Sequence, residues 1–330
     1  MHALEDQLAE ALIVVRALHL AATVMLVGAV IFQSWVMAAL LRGSREATGA
    51  HAVANLTNRI AWISFAVAVF AGAAWLVVLT AQISSDANWD ALVGNVPTLL
   101  TQTQFGRVAE LRFVIGILLV CALGWRRSRD GLRWFAFALA LCFAGSLAWA
   151  GHSGAGDGFT GDVQAVVDAL HLIAASAWVG GLVPLACLFV QASRLSNSLS
   201  PTQVADITQR FSIMGIVCVT ALLITGLINT WFLVASLAIL VDSSYGQLLM
   251  IKVALFLAMV GIATINRTRL TPMITVGATD VRAKVTRHLA RNSLIEAGFG
   301  LAILAIVGAL GTLPPELPDE HHVHSHSHAH

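Results

Sequence analysis

Long apolar runs recur along the whole chain, and the short segments between them carry most of the charged residues. A helix needs about 20 apolar residues to cross the hydrocarbon core of a bilayer. Runs that reach or approach this length lie at 12–41, 60–82, 108–125, 133–151, 164–190, 211–240, 247–266 and 292–312. The pattern therefore predicts an all-α fold, a polytopic membrane bundle of eight transmembrane helices.

The composition agrees with this interpretation. The chain has 330 residues, of which 58% are hydrophobic and 11% are charged, whereas soluble domains carry about 25% charged residues. A soluble fold of this size cannot hide so much apolar surface. The composition excludes a soluble enzyme, a nucleic-acid-binding module and a disordered scaffold. The first run is longer than a signal-peptide core and lacks a small-residue cleavage site, so we expect it to span the membrane.

The basic residues predict the orientation. Most of the 19 Lys and Arg lie in the loops 42–59, 126–133, 191–210 and 267–291. Because such loops stay on the cytoplasmic side, we expect both termini on the periplasmic side, which an even number of spans requires. No internal loop is long enough for a nucleotide-binding domain, so a gradient or a partner protein would have to drive any transport.

A repeated segment divides the chain. Residues 17–28 read ALHLAATVMLVG and residues 169–180 read ALHLIAASAWVG, so that His19 falls on His171. Farther along, Arg112 falls on Lys252 in the same order. Because the first and fifth runs cross in the same direction, the repeat is parallel, with a pseudo-two-fold axis along the membrane normal. The predicted units are a first four-helix repeat, a second four-helix repeat and a histidine-rich tail, at 1–151, 152–312 and 313–330.

The two equivalent histidines are the first candidate site. Each lies about seven residues inside its span, roughly 10 Å deep at 1.5 Å per residue. Polar groups at this depth are costly and tend to be functional. If the first and fifth spans line the axis, His19 and His171 face each other and can hold one metal ion. The alternative for each is a hydrogen bond to a neighbouring helix.

Further residues point to the same region. His152 opens the glycine-rich loop 151–158 and is a third candidate metal ligand, the alternative being an ordinary loop histidine. Asp168 and Arg16 each precede one of the paired histidines by three residues and share its helix face. We therefore predict an ion pair between Arg16 and Asp168 across the axis. Asp168 could instead orient the ring of His171.

Weaker candidates lie nearby. Met25 and Met250 are soft side chains that suit copper(I), although each is more simply explained as core packing. Glu110 lies near the outer end of the third span, where a charged side chain can extend to the headgroups. Glu296 lies inside the eighth span and could accept a cation on an inner path, unless it pairs with a loop arginine.

The tail is rich in histidine. Its six imidazoles are at His321, His322, His324, His326, His328 and His330. Such density on a flexible segment chelates Cu(II), Ni(II) and Zn(II). The predicted orientation places this tail on the periplasmic side, where it would capture metal.

The segment from Arg16 to Leu20, the Gly151-His152 loop and the stretch from Asp168 to Leu182 resemble the copper resistance protein D (CopD) family. The resemblance implies a bacterial inner-membrane protein with eight spans that acts in copper uptake and resistance. It implies His19, His152 and His171 as the matching histidines. It also implies copper-binding protein C as a periplasmic partner, which we expect to be a separate chain.

These observations favour an inner-membrane copper transport protein, not an enzyme, that takes copper from the periplasm. A different class of function is a haem b membrane oxidoreductase or electron carrier with His19 and His171 as axial ligands. A third is a metal sensor or an assembly factor for copper enzymes.

Overall fold

The structure is a computed structural model that describes residues 2–43, 48–84, 89–125, 130–150, 158–194, 199–233 and 243–312. All of its regular elements within these ranges are helices. The α-helices are α1 (His2–Ile31), α2 (Ala38–Gly43), α3 (Thr48–Ser84), α4 (Trp89–Gln102), α5 (Gln104–Trp125), α6 (Asp130–Gly145), α7 (Gly158–Arg194), α8 (Pro201–Leu233), α9 (Ser244–Ile265), α10 (Met273–Val276) and α11 (Thr279–Leu310). Single turns of other helical geometry extend three of them, at Phe32–Val36, Ser146–Ala150 and Asn266–Leu270.

Seven stretches within the described ranges are long and apolar enough to cross a membrane. They are Asp6–Val36, Gly49–Gln82, Gly131–Ala150, Phe159–Ser193, Pro201–Trp231, Ser244–Val276 and Thr279–Leu310. The chain is therefore an all-helical, multi-pass membrane protein. The predicted third span, 108–125, is occupied by α5, which has 22 residues but does not belong to these seven. The count of eight spans stays a prediction.

Several helices are longer than the apolar runs that predicted them. The fifth run, 164–190, lies inside α7, which has 37 residues.

No apolar run predicted helix α4, because Gly94 and Pro97 interrupt its sequence. Its apolar residues nevertheless follow helical spacing, and Leu99 is buried. Helix α4 packs against α3 and α5, so the described residues between these two helices include a short helix.

Local sequence signals fix where two helices begin. Ser200 precedes Pro201, the first residue of α8, and its hydroxyl accepts a hydrogen bond from the backbone N–H of Gln203 at 3.2 Å. The side chain of Gln203 accepts from the backbone N–H of Ser200 at 2.8 Å. This is a capping box followed by a proline at the first helical position. Similarly, Ser243 caps α9 by accepting from the N–H of Gly246 at 3.0 Å.

Helices α1 and α7 form the centre of the bundle. Helix α1 packs against α3, α6, α7 and α11, and α7 packs against α1, α6, α8 and α11. The two helices cross at Gly28 and Gly180. A methyl group added to Gly28 would overlap the backbone of Gly180 and Ser176, and one added to Gly180 would overlap the carbonyl of Val24. Only glycine allows the two backbones to approach this closely.

The helix directions place charged groups at two different ends. At one end, Arg16, in the middle of α1, donates a hydrogen bond to the carbonyl of Gly311, which follows α11. At the other end, the turn Phe32–Val36 after α1 contacts α8, and the turn Asn266–Leu270 after α9 contacts α11. We call the latter the basic end, since Arg267, Arg269 and the first half of α11 lie there.

The glycine crossing generates the first prediction. Gly180→Ala and Gly28→Ala should each destabilise the protein by about 1–3 kcal/mol, because the added methyl group has no space and forces the helices apart. The free energy of unfolding in detergent, or the temperature at which the purified protein aggregates, measures this effect. Gly261→Ala is the matched control, since a methyl group at Gly261 meets nothing within 4 Å. Equal stability of all three variants would show that the crossing is not tightly packed.

Candidate functional site

His19 on α1 is buried and has both ring nitrogens engaged. Its Nδ1 lies 2.9 Å from the carbonyl oxygen of Ala68 on α3, and its Nε2 lies 3.1 Å from Nη2 of Arg112 on α5. A carbonyl can only accept a hydrogen bond and a guanidinium can only donate one. The ring is therefore neutral, with its proton on Nδ1 and the lone pair of Nε2 directed at Arg112.

Arg112 is held in place by a dense set of acceptors. One guanidinium nitrogen, Nη1, donates to the carbonyl of Phe143 at 2.5 Å and to the hydroxyl of Ser146 at 3.0 Å. The other, Nη2, donates to Thr23 at 3.3 Å as well as to His19. The guanidinium also lies over the ring of Phe143, 4.2 Å from its centroid. The charge of Arg112 is thus solvated by acceptors on α1, on α6 and on the turn that follows α6.

A glycine on a neighbouring helix faces each imidazole, and the approach is tight only at His19. A methyl group on Gly72 of α3 would lie 3.1 Å from Nδ1 of His19, and one on Gly226 of α8 would lie 3.8 Å from Cε1 of His171. The ring of His19 also meets the ring of Trp75 nearly edge-on, with centroids 5.7 Å apart. His19 therefore packs against α3, and His171 packs against α8.

His171 on α7 differs from His19 in its free nitrogen. Its Nδ1 lies 2.9 Å from the hydroxyl oxygen of Thr225 on α8, and that hydroxyl donates its proton to the carbonyl of Ala221 at 2.6 Å. The Thr225 oxygen must therefore accept from Nδ1–H of His171. Among the described residues, Nε2 has no hydrogen-bond partner. The lone pair of Nε2 is the unused acceptor of the site.

Charged and polar groups surround His171. Lys252 on α9 lies within electrostatic range of the ring, and Asp168 lies within electrostatic range of Lys252 and Tyr245. Asn229 donates a hydrogen bond from Nδ2 to Asp168, while its own Oδ1 is buried and has no partner within the described part of the chain. Two polar bridges, His171–Thr225 and Asp168–Asn229, thus join α7 to α8.

The predicted ion pair between Arg16 and Asp168 is wrong. Arg16 donates from Nη1 to the carbonyl of Gly311 at 2.6 Å, and its guanidinium lies 5.2 Å from the ring centroid of Trp75. The partner of Asp168 is Asn229, and that of His171 Nδ1 is Thr225, so the alternative role of Asp168 in orienting the ring is not observed either. Arg16 instead caps the carboxyl end of α11, where a positive charge is favourable.

The described contacts also do not bring the two imidazoles together. The neighbours of His19 are on α3 and α5, whereas those of His171 are on α8 and α9. A helix places its side chains on the partners that share their face, and these partners belong to two separate groups of helices. Two adjacent imidazoles with free Nε2 atoms, which a bis-histidine haem needs, do not occur in the described residues.

The remaining candidates are scattered. Glu110 is exposed and Met250 is 39% exposed, while Met25 is half-buried. His152 and the histidines of the tail lie outside the described residues. Within the ranges that the structure describes there is no group of three or more His, Cys, Asp or Glu side chains that could hold a metal ion.

The residues of α8 at this site were not among the sequence-predicted candidates. Thr225 and Asn229 are four residues apart, so they share a helix face, and both are polar within the apolar run 211–240. Their spacing equals one helical turn and was a usable signal. The sequence signal at Thr23 and Ser146, the neighbours of Arg112, was weaker, because single hydroxyl residues are frequent in apolar helices.

Comparison with known proteins places the chain among related membrane proteins. Residues 205–310 match the family model of copper resistance protein D, and residues 5–162 match that of the copper resistance protein D-like N-terminal domain. No solved structure matches the chain significantly.

Three curated proteins are similar over most of the chain. Copper resistance protein D of Pseudomonas syringae pv. tomato is 28% identical over 246 residues, 73% of this chain and 79% of that protein. Inner membrane protein YebZ of Escherichia coli (strain K12) is 29% identical over 68% of this chain and 74% of its own length. Copper transport protein CutJ of Bacillus subtilis (strain 168) is 27% identical over 74% of this chain, which corresponds to 44% of that protein. Because both family models describe copper resistance protein D and together match residues 5–162 and 205–310, the chain belongs to the copper resistance protein D family.

Proposed function

We propose that this protein binds copper at the non-basic end of its second half and carries it across the bacterial inner membrane from the periplasm. Membership of the copper resistance protein D family supports copper as the substrate. Two of the relatives are named for copper, and a third is named an inner membrane protein. The multi-pass helical fold suits a transporter rather than an enzyme. The basic loops support termini that face the periplasm.

The proposed architecture is two parallel four-helix repeats, residues 1–151 and 152–312. Equivalent contacts in the two halves support it. Gly28 of the first repeat meets Gly180, its counterpart in the second. Likewise, methyl groups added to Gly145 and Gly308 would contact Ala169 and Ala17, respectively, which the repeat also makes equivalent. A pseudo-two-fold axis through the crossing of α1 and α7 accounts for both pairs of contacts.

The repeat also explains why we assign the metal-binding role to one histidine. In the first half, the guanidinium of Arg112 occupies Nε2 of His19. In the second half, the equivalent residue is Lys252, and Nε2 of His171 has no partner among the described residues. A histidine binds copper through a nitrogen lone pair. His171 is therefore the proposed ligand, and His19 is a structural counterpart that orders the first half.

The free Nε2 of His171 is the observation on which the proposal rests. The neighbouring oxygen donors are the carboxylate of Asp168 and the unpaired Oδ1 of Asn229. Nitrogen and oxygen ligands suit copper(II) better than the softer copper(I). Because Asp168 balances the charge of Lys252, a cation can approach the ring without meeting an uncompensated positive charge.

We further propose that histidines outside the described residues complete the coordination. His152 belongs to the loop 151–157 directly before α7, the helix that carries His171. The histidines of the tail would capture metal from the periplasm and pass it to this site. A separate periplasmic copper-binding protein C is the proposed donor of copper. Stepwise exchange between imidazoles allows such transfer, because each ligand can be replaced in turn.

The assignment of the ligand is tested by comparing two substitutions. His171→Ala should weaken copper binding by the purified protein lacking residues 313–330 by tenfold or more, whereas His19→Ala should leave copper affinity within about threefold. His19→Ala should instead lower the melting temperature, because Arg112 and the carbonyl of Ala68 lose their partner. Competition titration with a copper chelator measures affinity, and thermal unfolding in detergent measures stability.

The same experiment can contradict the proposal. Equal loss of copper binding in both variants would contradict the assignment to His171 alone and would support one metal site shared by His19 and His171. Unchanged binding in His171→Ala would remove His171 from the site altogether. Asn95→Ala on the exposed face of α4 is the matched control, since it alters an outer polar residue distant in sequence from both histidines.

Replacing Lys252 by arginine, the residue found at position 112, gives a second test of the copper ligand. Lys252→Arg should weaken copper binding by about tenfold, because a guanidinium can donate to Nε2 of His171 as Arg112 does to His19. The fold should remain intact, as judged by an unchanged melting temperature. Cellular copper accumulation, compared between the wild type and Lys252→Arg at equal expression, should fall in parallel. Copper affinity equal to that of the wild type would show that access to Nε2 is not what decides binding.

A further inference from the structure

A cavity of about 190 Å³ lies between α7, α8, α9 and α11, towards the basic end of the bundle. Apolar side chains form much of its wall, including Trp178 of α7 and Phe211 of α8. Glu296 of α11 and Asn266, which follows α9, also line it. The side chain of Glu296 is 2% exposed, and it lies in the middle of a membrane-spanning helix. The copper site proposed above, at the other end of the second half, does not use this cavity.

The carboxyl group of Glu296 is oriented by a chain of amides. Asn292 donates from Nδ2 to Oδ1 of Asn266 at 2.7 Å, which turns the amide nitrogen of Asn266 towards Glu296. Asn266 then donates to Oε1 of Glu296 at 2.8 Å. The backbone of Asn266 is itself held, because the N–H and the hydroxyl of Thr271 both donate to its carbonyl, at 2.8 and 2.9 Å. The π-helical turn Asn266–Leu270 provides this geometry, and such turns are frequent at functional sites.

The charge of Glu296 has no basic partner among the described residues. The other charged residue lining the cavity is Arg267, whose guanidinium donates to the hydroxyl of Ser212 on α8 at 2.8 Å. Arg210 on α8 pairs with Asp206 at 2.9 Å. On α11 itself, Arg291 is exposed and lies more than one turn before Glu296. Within the described ranges, the loop arginine that the sequence offered as an alternative partner of Glu296 is therefore not bound to it.

We propose that Glu296 is a proton-binding site that is reached through this cavity from the basic end. An ionised carboxylate inside a membrane protein needs a partner or it takes up a proton. A single amide donor satisfies one of its two oxygens, and the cavity gives the other access to water. Proton exchange there is independent of copper binding, so it would persist in a protein that binds no metal.

A proton fits this site better than a metal ion does. Sodium or a divalent cation needs about six oxygen ligands, and the oxygen of Asn266 is turned away from Glu296, towards Asn292. Copper prefers imidazole or sulfur ligands, and neither His nor Cys is among the described residues that line the cavity. The donor set that remains is one carboxyl group, one amide N–H and scattered hydroxyls.

Labelling of the wild-type protein with a carbodiimide tests the proposal, because carbodiimides react with the protonated form of a buried carboxyl group. Membrane vesicles are treated with a water-soluble carbodiimide between about pH 5 and about pH 9, and the modified peptide is identified by mass spectrometry. Above the midpoint of its titration, the protonated fraction of an acid falls about tenfold per pH unit, and labelling of Glu296 should fall accordingly. Labelling should be faster from the side on which trypsin cleaves after Lys284.

The controls separate proton binding from cation binding and from labelling at a different carboxyl group. Glu296→Gln should lose the modified peptide, while Glu110→Gln, an exposed glutamate on α5, should retain it at Glu296. Labelling should be the same in His171→Ala, so that failure of the copper proposal and failure of this one are distinguishable. The proposal is overturned if Glu296 is unreactive at every pH. It is also overturned if excess Na⁺ or copper protects it at constant pH, or if labelling is faster from the opposite side.

Discussion

The hydrogen bond between Arg112 and His19 shows the constraint on which the rest of the structure depends. In a hydrocarbon environment a polar side chain finds its partners within the protein or it is not tolerated. Arg112 meets this demand with His19, Thr23, Ser146 and a carbonyl oxygen. These acceptors come from different helices, so satisfying one guanidinium fixes the relative positions of α1, α5 and the end of α6. The histidine is part of the solvation shell of an arginine.

His171 has different surroundings from His19. Lys252 rather than an arginine lies near its ring, and a hydroxyl rather than a backbone carbonyl is the partner of Nδ1. Within the described residues, both ring nitrogens of His19 are bonded, whereas the surroundings of His171 hold an unpaired ring nitrogen and an unpaired amide oxygen. The two histidines therefore differ in their capacity to bind a ligand.

Much of this fold could be predicted from hydrophobic patterning, since long apolar runs can hardly adopt another structure in a bilayer. The equal depth of His19 and His171, which the repeated segment predicts, stays a prediction. The direction in which each imidazole ring points could not be predicted, because it depends on which neighbouring helices pack against that face of α1 or α7. Arg16 illustrates the difficulty. Its spacing from His19 suggested an ion pair with Asp168, yet its acceptor is the backbone carbonyl of Gly311, 295 residues away. Backbone acceptors at helix ends leave no mark in a sequence.

That capping bond has a consequence for how the protein is made. The chain is synthesised from its amino end, so the guanidinium of Arg16 in α1 lacks its acceptor until α11 and Gly311, 295 residues later, have been made and packed. Helix α1 therefore reaches its final environment only after α11 has been inserted. One hydrogen bond thus couples the folding of two helices that are made at very different times.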